Sequence, residues 1–164
     1  MLGNIGFSYL GLIYLLMLFL PNIIWTKRQP EGYADLAKKE NKVLLAFERV
    51  GQVLVVVSVV IFSNYNPTDF NAWTAWLIAS AVLMVLYEVA WIRYFIKPTL
   101  KNFCDSFLLI PMPLASLPVF AFLLLGIYGK VILLIISACI IGIGHIGIHI
   151  QHYKQIRNKA STNG

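Results

Sequence analysis

The amino-acid sequence predicts an all-α, polytopic bundle of five transmembrane helices, and three observations carry that prediction. The chain has 164 residues, of which 59% are hydrophobic and only 12% are charged, against roughly 25% charged in a soluble domain. Its apolar runs are each about as long as the ~20 residues a helix needs to cross a hydrocarbon core. Its basic residues fall in short clusters between those runs. Unpaired backbone groups are very costly in hydrocarbon, so runs of this length must be helical. They also lack the two-residue alternation of a membrane barrel strand.

The first span covers about residues 2–25 and carries no charge. No basic segment precedes it, and Lys27 and Arg28 follow it, so it does not read as a secretory signal. Pro21 and Asn22 are expected to mark its end. In the polar stretch that follows, Pro30, Glu31 and Asp35 read as the start of a short surface helix, in which Leu36 is too isolated among charges to anchor strongly. The second span is expected at 43–63. Asn64, Asn66, Pro67, Thr68 and Asp69 then form a turn, with Thr68 or Asp69 as N-cap.

The third span is expected at 72–94, with Trp73 and Trp76 at one end and Trp91 and Tyr94 at the other, as two interfacial belts require. The fourth, at 107–128, carries Pro111, Pro113 and Pro118, each able to kink a helix and open space beside it. A Gly126-Ile127-Tyr128-Gly129 turn leads to the fifth, at 131–150. Residues 1–153 thus read as one transmembrane domain and 154–164 as a polar cytosolic tail that frays.

Orientation follows from the basic residues. Segment 26–49 holds six Lys and Arg, 93–101 three and 154–159 three, so that twelve of the thirteen share one side and Lys130 stands on the other. Cytosolic loops carry such an excess. The N-terminus is therefore expected outside, the C-terminus in the cytosol, and the chain in the cytoplasmic (inner or plasma) membrane. The net charge of +6 is thereby accounted for without nucleic acid, whose binders gather cations on one folded face. Cys104 and Cys139 have no metal or disulfide spacing and are expected as small buried hydrophobes.

Ionisable groups within spans are costly, which makes their positions informative. Glu48, Arg49 and Gln52 lie at the cytosolic end of the second span, Glu88 and Arg93 near that end of the third, and His145, His149 and His152 in that part of the fifth. The histidines, at i, i+4 and i+7, share a helix face within about 60°. Ala138 and Gly142 continue that stripe as small residues that allow another helix close. If these faces converge, a cytosolic cavity holds Glu48, Gln52, Glu88, His145 and His149, with Arg93 nearby.

The chemistry of such a cavity is ligand or proton handling, with Glu88 exchanging protons and the histidines binding or relaying. Two histidines one turn apart plus a carboxylate also make His145, His149 and Glu88 a candidate transition-metal set. Bis-histidine haem is disfavoured, because all three histidines lie on one helix. Gly142, Gly144 and Gly147 match a dinucleotide fingerprint, yet that motif needs a strand before it, so these glycines read as helix-packing positions. The chain carries neither the Trp- and Pro-rich signatures of the tryptophan-rich sensory proteins nor the Arg-His-Pro and paired-Glu pattern of isoprenylcysteine methyltransferase-like enzymes, and it resembles neither.

The sequence therefore supports binding or transport of a small molecule or ion through a cytosolic-facing cavity. The alternatives are a membrane-embedded enzyme, metal-dependent or not, acting on a lipid or isoprenoid, and an accessory subunit of a membrane complex. Five helices are few to enclose a pathway, which leaves room for a homodimer or a membrane partner protein beside the lipid bilayer.

Overall fold

The computed structural model describes residues 3–162, with side chains as far as residue 158. Residue 2 and the last residues of the tail lie outside that range, and the first helix begins at Tyr9 behind a Ser8 cap rather than near residue 2. Seven α-helices follow one another: α1 (Tyr9–Thr26), α2 (Tyr33–Ala37), α3 (Lys42–Ile61), α4 (Ala75–Ile96), α5 (Leu100–Cys104), α6 (Pro113–Gly129) and α7 (Ile132–Thr162). Single 3₁₀ turns at Ser63–Tyr65 and Ala72–Thr74 complete the secondary structure, and the described residues form no strand. Among the described residues four helices are long and apolar enough to cross a membrane: α1, α3, α4 with its leading turn, and α7. The fold is thus all-helical, and its apolar helices are those of a membrane protein.

The helices form a closed ring. α3 packs along α7, α7 along α6 and α6 along α4, while α1 touches both α3 and α4. Glycines permit the tightest contacts. A Cβ on Gly51 would collide with the Ile141 backbone, and one on Gly144 with the backbone of Glu48 and Leu44. Small residues that let two backbones meet are how apolar helices associate where lipid offers no hydrophobic drive. Gly144 and Gly147 both face Leu44, and Gly142 faces Val119 of α6.

α6 has 17 residues, about 26 Å at 1.5 Å per residue. It is buried on nearly every side, as a helix apolar all round should be. Its start corrects the expected beginning near residue 107. Phe107 and Ile110 instead exchange backbone hydrogen bonds of 3.0 and 2.9 Å, and Leu108, Leu109 and Met112 take positive φ. Proline disfavours helical geometry in the residue before it, so Pro111 and Pro113 hold the chain out of helix until Pro113 itself occupies the first helical position.

Other local expectations are revised too. α1 runs through Pro21 to Thr26, and Asn22 donates from Nδ2 to the Leu18 carbonyl at 2.7 Å and to the Tyr87 hydroxyl at 2.8 Å. The cap before α4 is Asn71, in a reciprocal box with Thr74, rather than Thr68 or Asp69. Leu36 is buried. Trp91 and Tyr94 turn into the bundle, whereas Trp73 and Trp76 stay exposed. Cys104 is buried but Cys139 is exposed. α7 remains helical well beyond residue 150, with Ile156 packed against the core.

Candidate functional site

The ring encloses a cavity of about 380 Å³ at the end where α1, α4 and α7 finish and α3 and α6 begin. This is the basic end of the bundle, since only Lys130 lies at the other. α1 contributes Leu18, Phe19, Asn22 and Trp25, while α3 contributes Leu45, Glu48, Arg49, Gln52 and Val55. Tyr87 and Trp91 come from α4, and Leu114, Pro118, Val119 and Phe122 from α6. Ile141, His145, Ile148, His149 and His152 come from α7. Tyr33 of α2, Phe103 of α5 and Glu40 line its mouth at the basic end. Pro118 removes a backbone donor one turn after Leu114, and both residues face the cavity.

Glu48, Gln52, His145 and His149 are therefore brought together as the sequence anticipates. Glu88 and Arg93 do not line the cavity. The Glu88 Oε1 atom is buried without a hydrogen-bond partner elsewhere on α4. Arg93 donates to the Ser106 carbonyl at 3.1 Å, lies 3.8 Å from Asp105 and stacks over Phe107. Among the described residues no group of three or more His, Cys, Asp or Glu side chains is arranged to hold a metal ion.

A carboxylate stands at each end of a row of histidines. His145 Nδ1 lies 2.5 Å from Glu48 Oε1, so Nδ1 carries the proton toward the carboxylate and Nε2 is left for the cavity. His149 follows with its ring centroid 4.9 Å from that of His145, and His152 with its own 6.1 Å from that of His149. His152 Nε2 then lies 3.2 Å from Glu40 Oε1, at ion-pair distance but outside hydrogen-bond geometry. His152 is only 1% exposed. The row is thus Glu48, His145, His149, His152 and Glu40.

The middle of this row is not satisfied. His149 Nδ1 and His152 Nδ1 are buried with no hydrogen-bond partner, whereas the Trp25 and Trp91 indoles have the Tyr94 and Tyr87 hydroxyls beside them. Buried polar groups in folded proteins are nearly always paired, so each exception asks for a cause. Beside them stands an aromatic stack. Trp25 lies parallel to Phe103 at 5.4 Å, Tyr33 meets both edge-on, and Phe103 packs on His149. Burial, then the nearby Glu40 and Glu48 carboxylates, push the Tyr33 hydroxyl pKa up. Burial followed by Glu48 raises the Glu40 carboxyl, with Arg49 opposing. The Cys104 thiol, behind Phe103, is pushed up to about 12 by burial, so it is no thiolate at neutral pH.

Glu40, Tyr33, Trp25, Trp91 and Phe103 escaped the sequence argument. Periodicity along one span cannot show that two short helices outside the spans fold back over its end. Trp91 carried a signal, its place on α4 close to Tyr87 and Tyr94, but terminal tryptophans also suit a lipid interface. The chain matches no family model, and no curated protein and no solved structure shows significant similarity to it.

Proposed function

We propose that this chain spans the cytoplasmic membrane five times, with its N-terminus outside and its C-terminus in the cytosol. In this reading it binds or moves a small molecule or ion through the cavity at its basic end. The observation that carries it is the set of unpaired buried nitrogens of His149 and His152 within that cavity. Such groups cost about 1–3 kcal/mol each when left without a partner, and a bound solute or water is the direct remedy. The basic clusters support the orientation, and α6, at 17 residues, meets the ~17–25 needed to span. Because Glu88 does not face the cavity, proton exchange falls in this reading to Glu48 with His145. A carboxylate–imidazole pair is the usual apparatus for moving a proton near neutral pH.

Cysteine accessibility tests the proposal. With Cys104→Ala and Cys139→Ala as background, Gln52→Cys is expected to react with a membrane-impermeant maleimide added from the cytosolic side of oriented vesicles. Prior treatment with a small permeant thiol reagent from the same side should block it. Labelling only from the outer side would overturn the orientation. No labelling from either side would remove the open cavity.

A further inference from the structure

The lone pairs of the histidine row set the hydrogen-bonding chemistry of the cavity. Several donors of its wall are already met. Asn22 donates to the Leu18 carbonyl and the Tyr87 hydroxyl, Thr26 to the Ile23 carbonyl, and the Trp25 and Trp91 indoles have the Tyr94 and Tyr87 hydroxyls beside them. The histidine acceptors are not met. Glu48 faces His145 Nδ1, which puts the ring proton there and leaves Nε2 with its lone pair. Glu40 faces His152 Nε2 at 3.2 Å, where a carboxylate repels a lone pair and favours the N–H. The lone pair of His152 then stands on Nδ1, which is buried without a partner. His149, 5% exposed, lies between the two, and its Nδ1 has no partner either. The carboxylates thus turn the row into acceptors, and acceptors call for a donor. Among the described residues no three ligating side chains converge on a metal, so the donor is an N–H or O–H group.

Charge selects among such donors. The Glu48 and Glu40 side chains are 21% and 15% exposed, whereas Arg49, which also lines the cavity, is exposed. Water and salt screen an exposed charge far more than a partly buried one. Two carboxylates therefore outweigh one guanidinium inside, and a cationic donor is favoured. The aromatic wall points to the same sign. Tyr33 and Phe103 line the mouth, with Tyr87, Trp91 and Phe122 elsewhere on the wall, and ring faces attract an ammonium group. Together with Val55 and Ile141 they also give an apolar body a surface to lie on. At about 380 Å³ the space is at the small end of ligand pockets, which run from ~300 to ~1,000 Å³. It suits an amine carrying one ring or a short chain.

We propose that the cavity binds a protonated amine with a small apolar body. Its N–H groups donate to lone pairs of the histidine row, its charge faces Glu48 and Glu40, and its apolar part lies against the aromatic wall. This rests on the cavity reading above and narrows it to one class of solute.

The test is isothermal titration calorimetry on the full chain in nanodiscs at pH 7.5, with empty nanodiscs subtracted. The probe is 4-phenylbutylamine, protonated at that pH as a lysine amine is. Saturable binding is expected, weakened about tenfold or more in Glu48→Gln, a variant that can still accept from His145 Nδ1. Arg49→Gln, which removes the opposing charge, should tighten binding, a change that a folding defect cannot produce. Trimethyl(4-phenylbutyl)ammonium has the charge but no N–H group and should bind about tenfold more weakly than the amine. Equal binding of the two would overturn the role given to the imidazole lone pairs. Tighter binding of 4-phenylbutyrate than of the amine, with the two variants acting in the reverse order, would assign the site to an anion held by Arg49 and overturn the proposal. Amine binding that does not saturate, or that is the same in Glu48→Gln as in the parent, would overturn it as well. If Gln52→Cys still labels from the cytosolic side in those cases, the cavity stands and only the ligand class falls.

Discussion

The two ends of the bundle treat polar groups in opposite ways. At the Lys130 end two polar residues, Asn66 and Trp73, are spent on holding the chain together. Asn66 accepts from Ser8 Oγ and the Leu10 amide and donates to the Phe7 carbonyl at 3.0 Å. Trp73 donates to the Tyr128 carbonyl at 2.9 Å, and Lys130 lies over its ring. Toward the basic end lie Glu88, His149 and His152, each with a buried polar atom that has no partner. Asparagines and histidines have comparable capacity to bond, so the difference lies in placement. One end spends its polar groups on structure, and the other leaves buried histidine nitrogens without a partner in the chain.

The spine common to both ends offers the severest test. Gly51→Leu would drive a side chain into the Ile141 backbone, where nothing can swing aside. Overpacking of this kind costs about 3 kcal/mol or more, a large part of a domain's stability. Little monodisperse protein is expected by size-exclusion in detergent. A well-folded Gly51→Leu protein would mean that α3 and α7 do not meet as described.

The next two substitutions set the ends against each other. Asn66→Ala leaves the Leu10 amide and the Phe7 carbonyl without their partner and should lower stability by about 1–3 kcal/mol, seen as a lower melting temperature in detergent. His149→Leu removes a buried nitrogen that has no partner and replaces it with a side chain of similar bulk. Exchanging an unsatisfied polar group for an apolar one is neutral or favourable, so the melting temperature should hold or rise, by up to about 1 kcal/mol of stability. If His149→Leu proved as damaging as Asn66→Ala, the histidine would be structural and the contrast between the ends would collapse.

The pattern of spans was legible because it rests on a strong constraint. Hydrocarbon forbids unpaired backbone, so long apolar runs could only be helices, and four of them are helices of spanning length. The convergence of Glu48, Gln52, His145 and His149 was legible for a related reason, since each is expensive on a lipid-facing surface. Glu88 shows where that reasoning fails. Cost says that a carboxyl should find a partner, but it does not say which helix turns toward which. That choice was made by packing, through Gly51 and Gly144 on one seam and the fully buried α6 on another. The cap over the cavity was illegible because α2 and α5 have five residues each. Helices that short have little intrinsic stability and owe their place to tertiary contacts, here Tyr33 and Phe103 against Trp25.

Glu40 gives the smallest and most specific effect. It sits just before α3, faces His152, and is influenced by Glu48 and Arg49. Burial first and Glu48 second raise its carboxyl above the ordinary value of 4.5, with Arg49 pulling the other way. A folded-state pKa above the unfolded one means that the folded protein holds the proton more tightly. Glu40 therefore contributes stability that is complete below its unfolded pKa and is lost as pH rises through the folded one. Glu40→Gln, which stays neutral throughout, should melt slightly higher than the parent at pH 8, by about 0.5 kcal/mol once solvent screening at this partly buried carboxyl is allowed for. The two melting curves should converge as pH falls toward 4.5. A variant that melts lower than the parent at pH 8 would reverse the sign, because it would show that the charged carboxylate is held by His152. That end of the histidine row would then be a formed ion pair, and His149 would be left as the histidine without a partner.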